Sequence, residues 1–340
     1  MPTVMLTAKC MNSCEWCFAQ TKMEKYHAQG IDEISWEDFQ AVVAFYGRSG
    51  MDYMTLLGGE PTLHSRFVDI LELLASKQFA ALVVTYGICD EVLVDIIAQK
   101  RFPGIRFAVN TTKYFQYPTD VRKKVDRLLQ KINHSVFLTY TITSTDVERG
   151  NVHVLLDRIL MVMKFGLLRH IQFQIAIPSE NNTAYVPFED YSTAVRMLSS
   201  WFKILNTNGI TTGLDCHSIP KCALEGAEKT PIELHSRCSS FMIDIGPGLE
   251  VWPCFPLSGQ NFRLGQFKDF KDMQAFFAKI HSEASLLYDE RCSNCSEQAS
   301  GTCDAGCRGF QILRNRIQKE TSAPRRPVRK EASLMATEVL

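Results

Sequence analysis

The sequence predicts an α/β protein built on a mostly parallel sheet, followed by a small cysteine-rich C-terminal region. Three observations carry this. Strand-like and helix-like segments alternate through the first two thirds of the chain. The alternation stops near Ile210, where short strands and turns take over. The twelve cysteines are segregated: three lie within residues 10–17, one is Cys89, and eight lie between Cys216 and Cys307.

The elements follow in order. Thr3–Lys9 is an apolar strand that leads into the first cysteines. Trp36–Gly47 has helical periodicity, with Ser35 as its N-cap. Tyr53–Leu57 is a short strand running into Gly58-Gly59-Glu60-Pro61-Thr62, and Phe67–Lys77 is helical. Ala80–Thr85 is a strand, Asp90–Lys100 a helix, Ile105–Asn110 a strand and Asp120–Ile132 a helix. Val136–Thr143 alternates as a strand, Val152–Phe165 is helical, Ile171–Ile177 is a strand and Phe188–Leu205 is a long amphipathic helix. Strand–helix units in series imply parallel strands joined by crossovers that cover both faces. Working groups in such sheets sit at the C-terminal ends of the strands. The first cysteines and the Gly-Gly-Glu-Pro segment both fall there. Farther on, Met273–Glu283 and Phe310–Gln318 are helical, and after Ser322 the chain turns Pro/Arg-rich and aperiodic, a disordered tail.

Composition narrows the partners. With 46% apolar and 22% charged residues, 340 residues suit one large domain with an appendage, or two domains. The 37 basic and 37 acidic residues cancel, so no global field draws the chain to nucleic acid or to a membrane. No apolar run approaches the ~20 residues that span a bilayer, and no charged segment precedes the first apolar stretch as in a secretory signal. A cytoplasmic location is expected, and with it metal ligation rather than disulfides for the cysteines.

Cys10, Cys14 and Cys17 form C-x3-C-x2-C directly after the first strand. Three thiolates can fill three corners of an iron–sulfur cluster and leave one iron open to chemistry. The alternative is a zinc site, but a structural zinc wants four ligands, and the nearest histidine is His27.

The spacing resembles that of the radical S-adenosylmethionine (radical SAM) enzymes, and the resemblance extends through Trp16, Gly58-Gly59-Glu60-Pro61 and the later strand ends. It implies a partial (β/α)6 barrel over residues 1–209. It implies a [4Fe–4S] cluster on Cys10, Cys14 and Cys17, whose open iron chelates SAM. The cluster's electron then cleaves SAM to methionine and a 5′-deoxyadenosyl radical that takes a hydrogen from the substrate. It implies that Trp16 packs on the adenine and that Gly58, Gly59, Glu60 and Pro61 receive the methionine amino group. Asn110 and Thr112, at the end of the fourth strand, would meet the ribose, or serve as ordinary turn residues. Ile175 and Ala176 would pack on the adenine, or only in the core. Thr85-Tyr86-Gly87 departs from the family's usual Thr-Asn-Gly.

The distal cysteines resemble the SPASM extension of that superfamily, which holds one or two auxiliary [4Fe–4S] clusters. Cys216, Cys222, Cys238, Cys254, Cys292, Cys295, Cys303 and Cys307 would saturate two clusters at four thiolates each, over a domain of residues 210–320, with 321–340 as the tail. The pattern departs from SPASM at three points. Gly248 to Cys254 is one residue longer, seven residues rather than five separate Cys295 from Cys303, and no cysteine follows Cys307. A zinc ribbon is the competing account of these residues. Cys89 is a candidate hydrogen donor to a substrate radical, or a small core residue. Asp215 and His217 are candidates for acid–base work, or turn residues.

The resemblance therefore implies an oxidoreductase-type radical enzyme. Its expected substrate is a ribosomally made peptide, to be crosslinked, oxidised or epimerised. The alternatives are a small molecule such as a sugar, nucleoside or amino-acid-derived product, and a non-catalytic metal-binding or electron-carrier protein. A reducing partner such as flavodoxin or ferredoxin is expected. With nine residues ahead of Cys10, a separate leader-peptide-binding protein is expected too.

Overall fold

The computed structural model describes residues 2–150, 152–177, 179, 182–215, 219–224, 243–258, 262–283 and 292–307. Seven parallel strands run in chain order across one sheet: β1 (Thr3–Met5), β2 (Tyr53–Leu57), β3 (Ala80–Thr85), β4 (Ile105–Asn110), β5 (Val136–Ile142), β6 (His170–Ile175) and β7 (Thr211–Asp215). The helices between them are α1 (Gln20–Ala28), α2 (Trp36–Arg48), α3 (Phe67–Ser76), α4 (Glu91–Lys100), α5 (Thr119–Lys131), α6 (Ser144–Arg149), α7 (His153–Phe165) and α8 (Tyr191–Thr207). Three short strands, β8 (Asp244–Ile245), β9 (Glu250–Trp252) and β10 (Phe262–Arg263), extend the sheet past β1, giving the order β10-β9-β8-β1-β2-β3-β4-β5-β6-β7. Helices α9 (Phe270–Glu283) and α10 (Ser296–Ala299) follow.

Local chemistry sets the helices. The Ser35 hydroxyl accepts the Asp38 N–H at 3.0 Å and starts α2, whose Phe39, Val42, Val43 and Tyr46 form one buried stripe. In α8, Ala194, Leu198, Trp201, Phe202 and Leu205 do the same. The strands divide their side chains by parity. On β2, Met54 and Leu56 enter the outer core beneath the helices, whereas Thr55 and Leu57 face an inner cavity. That cavity is lined from β2 and β3 through to β7, and from β8 as well. One cavity touched by strands at such distant places in the order requires a curled sheet, the shape of a partial barrel.

The structure differs from the expected elements in instructive places. The first strand ends at Met5 rather than Lys9. Beyond it Thr7 bridges antiparallel to Glu33 and the Ala8 N–H bonds to the Asp32 carbonyl at 2.8 Å, so the chain leaves the ladder. Helix α1 has no counterpart among the expected elements. Its sequence is mostly polar, and only Met23 and Tyr26 are buried. It is held from outside its own segment, by Tyr26 Oη donating to Glu250 Oε2 at 3.0 Å and by Lys22 lying over the Trp252 ring. Thr143 leaves the fifth strand to cap α6 in a reciprocal box with Asp146. Residues 211–215 add a seventh parallel strand, and β8 returns from the cysteine-rich region to pair parallel with β1. The expected helix 310–318 and the tail 321–340 lie outside the described residues. Among the described residues no helix is long and apolar enough to cross a membrane.

Trp201 packs against the rings of Tyr140 and Phe173 from the fifth and sixth strands, fully buried. Trp201→Ala is expected to destabilise the fold by about 3–5 kcal/mol, read as a lower midpoint in urea unfolding with little change in slope.

Candidate active site

The cavity, about 190 Å³, opens among the strand ends where Cys10, Cys14 and Cys17 lie. These thiols are close enough to act electrostatically on one another, and none is in a disulfide. They do not converge on one point: among the described residues no three His, Cys, Asp or Glu side chains group tightly enough for a single ion. Each of the three residues lines the cavity from its own place in the loop. Burial pushes the Cys10 thiol up to about 11, with the Asn12 N–H contact (3.4 Å) pulling back. Burial raises Cys14 and Cys17 as well. Ligation must therefore displace protons from this pocket.

The Gly-Gly-Glu segment is fixed to the cysteine loop through the backbone. The Gly59 N–H donates to the Thr7 carbonyl and the Glu60 N–H to the Lys9 carbonyl, both at 2.8 Å. A Cβ on Gly58 would lie 2.5 Å from the Thr7 oxygen, and one on Gly59 2.3 Å from the Lys9 oxygen. The glycines are thus required for loop-on-loop contact, and both also line the cavity.

Glu60 does something other than the resemblance implies. Its carboxylate is 3% exposed and does not line the cavity. Oε1 accepts from the Thr62 N–H (3.2 Å), the Thr62 hydroxyl (2.8 Å) and the Thr85 hydroxyl (2.7 Å), and Oε2 accepts from the Tyr86 N–H (2.9 Å). Burial raises its pKa against the pull of these four donors. The side chain is a clamp joining the end of β2 to the end of β3. Pro61 sits behind it, buried and off the cavity, as the first residue of a short 3-10 turn.

The other candidates divide. Trp16 lines the cavity, packs with Cys14 and Ala176, and carries a buried indole N–H with no partner among the described residues. Ile175 and Asn110 also line it, and the Asn110 side-chain amide donates to Thr141 Oγ1 at 3.1 Å. Thr112 does not. Its hydroxyl accepts the Thr141 N–H at 2.8 Å and its own N–H donates to Asn110 Oδ1, so its role is to brace Asn110. Cys89 is the clearest correction. It is 3% exposed, belongs to the outer apolar core and is absent from the cavity wall, so it has no path to a substrate radical.

Of the distal cysteines, Cys254 lines the same cavity as the first three. Cys292, Cys303 and Cys307 are buried, Cys295 is half-buried and Cys222 is exposed. The segments carrying Cys222 and Cys303 meet: the Lys221 N–H donates to Cys303 Sγ at 3.3 Å, and Lys221 pairs with Glu297 at 2.7 Å. Cys216, His217 and Cys238 lie outside the described residues.

Three further residues enter the site: Tyr86, the departure in the Thr85-Tyr86-Gly87 segment, the acid–base candidate Asp215, and Asp244, which the sequence did not single out. Tyr86 stands with its hydroxyl 3.1 Å from Cys14 Sγ, a contact no periodicity announces. Asp215 lines the cavity from β7 and Asp244 from β8. Asp244 is buried, and desolvation pushes its carboxyl up to about 7 despite the Thr3 hydroxyl and Trp252 indole nearby. An acidic residue opening a very short apolar strand (Asp244-Ile245) was the available signal.

A curled parallel sheet with thiols and a glycine-braced loop at its strand ends has the form of an α/β enzyme carrying a metallocofactor. Residues 4–167 match the family described as the radical SAM superfamily. No curated protein sequence matches it. Solved structures share the fold: Streptococcus suis SuiB at 14% identity, over 92% of this chain and 73% of that one, with a TM-score of 0.66. SuiB bound to its precursor peptide SuiA aligns with a TM-score of 0.63 at 14% identity, over 92% and 72% of the chains. The protein anSMEcpe with bound AdoMet and a Kp18Cys peptide aligns at 16% identity, over 91% and 90%, with a TM-score of 0.59. A radical SAM domain implies SAM and a [4Fe–4S] cluster. The residues present fit both: three cysteines on the cavity wall for irons, and beside them an indole N–H with no partner among the described residues.

Two outcomes follow. Gly59→Ala is expected to cost about 1–3 kcal/mol, since its Cβ meets backbone that cannot yield without moving the cysteine loop; thermal melts and iron content should fall together. For Asp244 the folded pKa lies above the unfolded one. Its contribution is full below about pH 4 and lost as pH rises to about 7, at up to about 1.4 kcal/mol per pH unit. Asp244→Asn should flatten that slope in urea titrations run from pH 4 to 8.

Proposed function

We propose that this protein is a radical SAM enzyme that modifies a ribosomally made peptide. The observation that carries the first half is the set of Cys10, Cys14 and Cys17 facing one cavity beside the Glu60-clamped loop. In this reading Cys10, Cys14 and Cys17 would hold a [4Fe–4S] cluster, which would supply an open iron for SAM. When bound, the pair supplies a 5′-deoxyadenosyl radical able to take an unactivated hydrogen. The chain's own residues do the rest. The thiols give up protons to bind iron. Trp16, Ile175 and Ala176 offer an apolar bed for a purine, and the Trp16 N–H offers one hydrogen bond. Asn110, braced by Thr112, presents a polar edge at the fourth strand end. Phe18, Met23, Leu57 and Phe255 keep water from the rest of the wall.

Cys222, Cys254, Cys292, Cys295, Cys303 and Cys307, with Cys216 and Cys238, would hold one or two auxiliary [4Fe–4S] clusters. The contact between the Cys222 and Cys303 segments supports a shared site. Cys254 on the cavity wall would bring one such cluster close to the substrate. The peptide half of the proposal is supported by the fold shared with two proteins whose structures hold peptides, SuiB and anSMEcpe. A low-potential donor of the flavodoxin or ferredoxin class would supply electrons.

The test is anaerobic reconstitution with iron and sulfide, reduction with dithionite, addition of SAM and chromatography for 5′-deoxyadenosine. Wild-type protein should form it. A Cys10/Cys14/Cys17 triple alanine variant should form none and should lose about four irons per chain relative to wild type. Well-loaded wild type that leaves SAM intact would sink the proposal. Mass spectrometry of candidate precursor peptides, against sugars and nucleosides, then separates the substrate classes.

A further inference from the structure

We infer that Tyr86 sets the reduction potential of the SAM-binding cluster through a hydrogen bond to Cys14, an inference that rests on the function proposed above. Tyr86 Oη lies 3.1 Å from Cys14 Sγ. With a protonated thiol, the sulfur donates to the phenol. An iron-bound thiolate has no proton and only accepts, so the phenol O–H must donate to the sulfur. The ring has little freedom to do otherwise. Its backbone N–H is fixed to Glu60 Oε2 at 2.9 Å, and its ring packs against the small cluster of Cys14, Trp16 and Ala176. Clamp, ring and sulfur form one line from the end of β2 to the cysteine loop.

A donor aimed at a ligand sulfur favours the state with more negative charge. Reduction adds one electron, from a flavodoxin- or ferredoxin-class donor, and no bond to a protein atom changes. The O–H dipole therefore stabilises the reduced cluster more than the oxidised one and raises its potential. The burial that lifts all three thiols works in the opposite direction, since a dry pocket disfavours added charge. Cys10 also receives the Asn12 N–H, but that donor is backbone. The Tyr86 hydroxyl is a side-chain group, so one atom can be removed while the ring stays. Tyr86 is thus a positioning residue for charge, acting on the cluster through Cys14.

Three proteins test it: wild type, Tyr86→Phe, and the chain with 3-fluorotyrosine inserted at position 86 by codon suppression. Each is reconstituted anaerobically, its iron counted, and its cluster titrated against potential by electron paramagnetic resonance. The SAM-binding cluster is recognised by its spectral change when SAM is added. At the wild-type midpoint, Tyr86→Phe should lower the reduced-to-oxidised ratio about tenfold, equivalent to about 59 mV for one electron. The more acidic fluorophenol should raise that ratio. Equal midpoints in iron-loaded proteins overturn the inference and leave the proposed function standing. If Tyr86→Phe does not hold iron, the fluorotyrosine protein decides alone, because it keeps the donor and the shape. Wild type that takes up no iron overturns both.

Discussion

The carboxylate of Glu60, saturated by four donors, is the interaction on which the site depends. A buried carboxylate is costly unless its lone pairs are met, and here they are met from Thr62 in the turn after β2 and from Thr85 and Tyr86 at the end of β3. That satisfaction fixes the distance between the β2 and β3 loops. The backbone contacts of Gly59 and Glu60 then fix the same loop to the segment that leads into Cys10. Three pieces of chain far apart in sequence become one rigid rim. Rigid support of this kind is what a site needs if its thiols must meet irons at set positions without reorganisation.

The cavity combines two tendencies that oppose each other. Its dryness holds the thiols protonated and makes charge expensive. Among its polar groups, three stand near the cysteines: the Tyr86 hydroxyl at Cys14, the Asn12 N–H at Cys10 and the Trp16 N–H on the wall. Apolar lining with sparse, aimed polar groups is how a binding pocket fixes orientation while excluding solvent. The curled sheet makes this feasible. Alternating parity sends one face of each strand to the helices and the other to the cavity, so the same short strands build both a core and a reaction chamber.

The C-terminal region is tied to this chamber by the sheet. Strand β8 pairs with β1, Trp252 packs with Met5 and Ala8, and Tyr26 of α1 reaches Glu250. Helix α1 follows the cysteine loop directly, so the loop is braced on one side by Gly58–Glu60 and on the other by residues more than two hundred positions away. Cys254 enters the cavity as a consequence of that docking.

Periodicity and local chemistry were enough to read most of the fold. Parity of two, helical stripes and caps such as Ser35 act over a few residues, so they are written in the order of the chain. The spacing of Cys10, Cys14 and Cys17 was legible for the same reason: one loop presents all three. What a residue touches across the sheet was not legible. Glu60 looks like a ligand in its motif and is a clamp in the fold. Cys89 looks like a donor beside a strand end and lies in the outer core. Tyr86 looks like a departure from a pattern and meets a cysteine seventy-two positions away. Helix α1 owes its place to Glu250 and Trp252 rather than to an apolar stripe of its own. The sequence by itself determined the alternating strands and helices and the cluster of thiols, because those depend on neighbours along the chain. Only the tertiary structure decided which side chains face the cavity and which are consumed holding its rim, because that depends on how the sheet curls and on which donors reach a buried charge.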